Sequence, residues 1–378
     1  MAGEFSFGVD IPDDDCVGNM ISDEDITNYM SGQKAKTTVS KERSDYNRYV
    51  EFCATIGEKR EIWEVTSAQH LDNILCQFYM KAKSCKGLLY EPDTLTSFKN
   101  SFQRILTQHG SAHDIKLSPH FKRSNNVLKS RRKELTKLGK GNRPNATRPL
   151  EDDEVELLYE KKYFGSDNPE NLQRTIWWLS SKKSGHRARH EARQLKWGDV
   201  SINNDPATNT EFLTWKNERI SKTRDGAVPS GHKRSFHPTA HGNGAQKCLV
   251  EYYKLFKLHR PDSMCLTEAP FYLSVRRNFD HNMDPVWYHD RPLGKNTIGE
   301  FLTKARCHLP SNESVGKVAN HSVRKTSITK LLNENVHPLH VAQLTGHKKP
   351  QLVLHRRRIN NGRCRTFWTI THPPPQPL

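Results

Sequence analysis

Residues 185–200, Gly185-His-Arg187-Ala-Arg-His-Glu191-Ala-Arg-Gln-Leu195-Lys-Trp197-Gly-Asp199-Val200, take their meaning from three shorter segments further along the chain. These are Ser221-Lys222-Thr-Arg-Asp-Gly226 at an expected strand turn, Asn320-His321-Ser-Val-Arg324-Lys-Thr326, and Leu344-Thr-Gly346-His347-Lys348. Taken singly, each suits an ordinary role. Arg187 reads as a surface arginine, Lys222 as a hairpin-tip lysine and His347 as a helix-end residue after Gly346. His321 and Arg324 stand at i, i+3, the spacing of any polar pair on one helix face. Order and spacing within one chain make them a set.

Around these segments the apolar pattern predicts two domains. Residues 35–140 read as helical, with stripes at Tyr46, Tyr49, Val50 and Cys53, at Leu71, Ile74, Leu75, Phe78 and Tyr79, and at Leu95, Phe98, Phe102, Ile105 and Leu106. A fourth stripe, Val127, Leu128, Leu135 and Leu138, is stopped by Gly139. Its polar face carries Lys129, Arg131, Arg132, Lys133 and Lys137, either a solvated face or a phosphate-tracking surface. Residues 141–149 hold several chain breakers and read as a linker. From residue 150 to 355 the pattern is mixed. Helices are expected at 151–163, 169–182 (Asn168 as cap, Pro169 in the first turn), 246–258, 295–307, 322–334 and 338–344. Strands are expected at Glu211–Trp215, Arg219–Thr223, Ser235–His237 and Phe271–Val275. The class is therefore mostly α with a small antiparallel sheet, α+β.

The net charge of the 378 residues is +17. The first thirty hold eight acids and no Lys or Arg, so the remainder is more basic still. Such an excess favours polyanionic partners, because Lys and Arg that meet phosphates release condensed counterions. Residues 1–34 read as an acidic, disordered arm, and 356–378 as an irregular, Pro-rich tail. No apolar run approaches the ~20 residues of a membrane span. The eight cysteines form no CxxC pair, which fits reduced thiols in a cytosolic or nuclear compartment. His232, His237 and His241 lie close together, but no HExxH or cysteine pair accompanies them, so no metal and no cofactor are expected.

The four segments together resemble the tyrosine recombinase, or phage integrase-like, family, whose signature runs Arg, Lys, His-x-x-Arg, then His or Trp in a Gly-His context. The match is closer to the Crypton transposon recombinases and their domesticated relatives, such as the C-terminal domain of MYM-type zinc-finger proteins. Tyr90-Glu-Pro-Asp-Thr-Leu-Thr-Ser-Phe98, Gly139-Lys-Gly-Asn-Arg-Pro-Asn-Ala146, Pro270-Phe-Tyr-Leu273 and His321-Ser-Val-Arg-Lys-Thr326 carry that likeness, which covers residues 38–355. It implies a helical core-binding domain before a catalytic-type domain, the two clamped around double-stranded DNA, with homo-oligomers on the DNA; a nuclear location is expected from that partner and the basic run at Lys129–Lys133. Arg187 and Arg324 would clamp the non-bridging oxygens of a phosphodiester through paired donors. The resemblance makes Lys222 the general acid, His321 a proton shuttle and His347 a donor to the same phosphate.

The chain departs from the family at its nucleophile. The resemblance puts a tyrosine about nine residues after the last histidine. Here that slot holds Arg356, within Leu354-His-Arg-Arg-Arg-Ile-Asn360, and all eleven tyrosines precede residue 289. Arginine stays protonated and cannot attack phosphorus. Three readings stay open: a recombinase-derived protein that only binds DNA, a decayed or mispredicted copy, or a tyrosine donated in trans. A protein-interaction module built on the acidic arm or the Pro-rich end is a fourth.

Overall fold

The computed structural model describes residues 21–141, 146–217, 236–245, 247–277, 284–310, 316–347 and 350–354. The chain divides into two compact units, residues 1–143 and 144–378.

The first unit opens with α1 (Asp23–Gly32), inside the stretch expected to be disordered. Local capping overrides composition here. The Ser22 hydroxyl accepts from the Asp25 amide at 3.1 Å, and Glu24 and Asp25 lie in the first turn, where the helix dipole favours negative charge. Four further helices follow: α2 (Lys36–Thr55), α3 (Ala68–Lys81), α4 (Pro92–Gln108) and α5 (Lys122–Lys137). Tyr49, Phe78, Phe98 and Phe102 meet at its centre, with edge-on ring contacts at 5.2–5.3 Å between Tyr49 and Phe102, Phe78 and Phe98, and Phe78 and Phe102. Two residues of the expected stripes do not join this core: Val50 is 45% exposed and Leu138 is 59% exposed. Asp72, buried on α3, accepts from the Ser124 amide at 3.0 Å and so satisfies an orphan donor in the first turn of α5.

The second unit is α+β, with α6 (Asp152–Glu160), α7 (Pro169–Ser184), α8 (His190–Gln194), β1 (Val200–Asp205), β2 (Thr210–Trp215), β3 (Thr239–His241) and α9 (Leu249–Leu258) in order. Then come β4 (Leu273–Val275), β5 (Tyr288–Pro292), α10 (Lys295–Ala305), α11 (His321–Asn333), α12 (Pro338–Thr345) and a single turn, α13 (Gln351–Leu354). Strands β1, β2 and β3 form an antiparallel sheet in that order, pairing Val200 with Trp215 and Leu213 with Ala240; β4 and β5 form a separate antiparallel pair. Trp177, Trp178, Trp215, Phe256 and Tyr288 fill the main core. Ile328, Leu331, Val341 and Val353 form a smaller core under α11 and α12.

Several boundaries differ from expectation. β3 lies after His237, because Pro238 has no N–H to donate to a ladder; its carbonyl instead accepts from the Trp215 amide at 3.0 Å. β1 and β5 carry Ser, Asn, Asp, His and Arg in place of alternating apolar residues, and neither was expected. The expected linker is partly anchored. The Arg148 amide donates to the Lys317 carbonyl at 2.9 Å, and its guanidinium forks onto Glu154. Residues 142–145 and the expected strand Arg219–Thr223 lie outside the described residues. Among the described residues no helix is long and apolar enough to cross a membrane.

Candidate functional site

α7 is started by the Asn168 side chain, which accepts from the Asn171 amide at 2.9 Å, and by Pro169 in its first turn. It ends at Gly185, whose backbone is left-handed at φ +66°. A Cβ at this position would stand 2.6 Å from the Leu344 carbonyl oxygen, so the end of α12 can approach this turn only because residue 185 is glycine. The chain then passes through Arg187, whose amide donates to Glu191 Oε2 at 2.7 Å; its guanidinium also lies 3.4 Å from Glu191 Oε1. Ala188 is fixed through its carbonyl, which accepts from Trp177 Nε1 at 2.9 Å and from Asn320 Nδ2 at 3.2 Å. Asn320 also accepts from the Leu302 amide at 3.0 Å, tying the start of α11 to α10.

Arg324 projects from α11 into this framework and is 8% exposed. Its Nη1 donates to the Gly185 carbonyl at 2.9 Å, joining residues 139 apart in sequence. Its Nη2 lies 3.5 Å from Nδ1 of His347, which follows the left-handed C-cap Gly346 of α12. The Thr345 hydroxyl donates to the Val341 carbonyl at 2.6 Å and lies 2.7 Å from His347 Nδ1. A hydroxyl has one proton to give, so Nδ1 is the donor to Thr345, and Nε2 of the neutral ring is an acceptor. The 3.5 Å contact to Arg324 sits at the edge of hydrogen-bond reach, and the shorter pair sets the tautomer.

Of the five residues expected to share a site, the structure brings Arg324, His347 and the Gly185–Arg187 turn together. His321 is exposed at the start of α11. Lys222 lies outside the described residues, as do His355 and Arg356. The basic residues of α5 belong to the first unit. Lys129, Arg132, Lys133 and Lys137 are exposed, and Arg131 is half-buried. Two of these charges are partly answered: Arg131 pairs with Glu134 at 2.7 Å, and Arg132 stands 3.5 Å from Asp93. Sequence reasoning missed Glu191, Asn320 and Thr345, which position the others. Glu191, four residues after Arg187 in a short helical turn, was the one with a readable signal.

A family described as a domain of unknown function, DUF3504, matches residues 150–307. The human uncharacterized protein KIAA1958 and its mouse homologue are each 24% identical to this chain over 279 residues, 73% of it. The chain spans 38% of the length of these curated relatives. Among solved structures, the Tn1549 transposon integrase bound to transposon right-end DNA is 12% identical, with 89% of this chain and 94% of that one covered at a TM-score of 0.47. A lambda integrase dimer bound to a core site is 14% identical, with 92% and 98% covered at a TM-score of 0.43.

Proposed function

We propose that this protein binds double-stranded DNA through a phosphate-clamping pocket of tyrosine-recombinase type and does not itself cleave the strand it holds. One observation carries the reading. Arg324, almost wholly buried, donates to the carbonyl of Gly185, two residues before Arg187, and stands 3.5 Å from the His347 ring. Burying a guanidinium is costly unless its donors are satisfied, and a pocket that gathers arginine and histidine donors suits an incoming oxyanion. Arg187 adds a second guanidinium at the same turn, oriented by Glu191. His347 adds an imidazole beside Arg324. The exposed Lys129, Lys133 and Lys137 supply sequence-independent attraction for the backbone.

The absence of strand cleavage follows from the sequence at residue 356, where an arginine stands in the slot that the resemblance gives to tyrosine. A Crypton-type ancestry, a role in recombination or integration, a nuclear location and homo-oligomers on DNA are part of this reading; they rest on the quoted motifs and the basic charge. The second reading, an active strand-transferring enzyme with tyrosine donated in trans, makes a different prediction: a covalent protein–DNA adduct on nicked duplex.

The test is duplex affinity across a salt series. Log affinity should fall linearly with log salt, with a slope of about −0.9 per phosphate contacted. No adduct should form on nicked duplex. A flat salt response rejects DNA binding, and a trapped adduct rejects the non-cleaving reading.

A further inference from the structure

A second cationic site occurs in the second unit and shares none of its lining with the Arg324 pocket. It is a recess of about 790 Å³ bounded by the start of α7, the β4–β5 pair and α10. Arg174, Arg276, Arg277, Arg291 and Lys304 line it, against one carboxylate among the described residues, Glu170. We propose that this recess binds a compact ligand carrying several phosphate groups.

Arg174 is the recessed member. Its guanidinium lies 4.2 Å from the centre of the Tyr163 ring. Its Nη2 donates to the Asn171 side chain, and its Nε is buried with no hydrogen-bond partner among the described residues. Tyr163, held by the Phe301 carbonyl through its hydroxyl, and Leu293 give the recess an apolar floor, which lowers the local dielectric and strengthens attraction to an anion. Arg276 is already engaged, 2.8 Å from Asp284 and donating to the Val286 carbonyl, so it acts as a wall. Arg277, just after β4, and Arg291, on β5, are both exposed. Lys304 is tied to the exposed Glu300 at 3.2 Å, a pair that solvent screens.

Two features favour a compact polyphosphate. The volume falls within the range of roughly 300–1,000 Å³ typical of small-molecule sites. Arg174, Arg277 and Arg291, each carrying a planar fork matched to phosphate oxygens, line this small space together with Lys304. The site is independent of the duplex-binding reading.

Calorimetric titration of the full chain tests it, with inorganic triphosphate, inorganic phosphate and citrate as probes. Triphosphate should bind this recess at least about tenfold tighter than phosphate or citrate. Arg291→Gln should weaken triphosphate by about tenfold or more, the scale of one charge-assisted contact. Arg291 is exposed on β5, so this variant carries little folding risk, and Arg174→Gln should act in the same direction. Lys257→Gln, an equal charge change on α9, should leave binding unchanged. Three results would overturn the proposal: no saturable triphosphate binding, citrate binding as tightly as triphosphate, or equal weakening in the arginine variants and Lys257→Gln. Duplex affinity that falls in the Arg291 variant would also overturn it, by making the recess a DNA contact. The Arg324 pocket would stand or fall separately, because its own variants leave this recess intact.

Discussion

At the scale of the residue, the pocket depends on a glycine and a shared carbonyl. Gly185 accepts from Arg324 and leaves room for Leu344, so one backbone turn sets the distance between α7, α11 and α12. Gly185→Ala would force a side chain into left-handed backbone, at a cost of about 1–3 kcal/mol, and would add a clash with the Leu344 carbonyl. Urea unfolding should show destabilisation at the upper end of that range or beyond, together with weakened duplex binding. An unchanged midpoint would mean that α12 does not approach this turn. The spacing of the sequence segments singled out Arg187, Arg324 and His347 as expected partners. It could not mark Thr345 or Asn320, because their roles come from hydrogen bonds to His347 and to the distant carbonyl of Ala188, which no local pattern encodes.

At the scale of the element, α5 presents Lys129, Lys133 and Lys137 at successive i, i+4 positions, all exposed. Buried Leu128 and Leu135 fix the opposite stripe, and Asp72 fixes the first turn. Neutralising all three lysines to glutamine should reduce the salt slope of duplex binding by about one for each phosphate that is left unneutralised. Stability should change little, because the lysines make no contribution to the core. Arg131→Gln should alter the slope less, since Glu134 already occupies that guanidinium. Equal slopes in the triple variant and the parent would reduce the face to a solvated surface. Helices with strong apolar periods were legible: α3 and α4 follow their stripes closely. β1 and β5 were not, because strands of polar residues at a sheet edge give no alternation to read. The helix α1 was hidden by composition and revealed by its Ser22 cap.

At the scale of the whole molecule, a basic chain holds some of its lysines half-buried beside one another. Burial, then the neighbouring Lys330 and Lys183, pushes Lys182 down from 10.5 to about 8. Between those values the unfolded chain holds this proton more tightly than the folded one. The destabilisation is therefore complete below the folded value and is relieved as pH rises through the window. Lys182→Met should raise the melting temperature more at about pH 7 than at about pH 10. An equal rise at both would show that the lysine is not strained by its surroundings. The α+β class was legible from periodicity and breakers. The central claim is that Arg187 and Arg324 hold one backbone phosphate together. A double-mutant cycle on duplex affinity, with Arg187→Gln, Arg324→Gln and the double variant, tests it most directly. Groups acting on one phosphate should be coupled by at least about 0.5 kcal/mol, with the double variant weakened less than its two singles combined. Effects that add within about 0.3 kcal/mol, or single variants that bind duplex as the parent does, would contradict it.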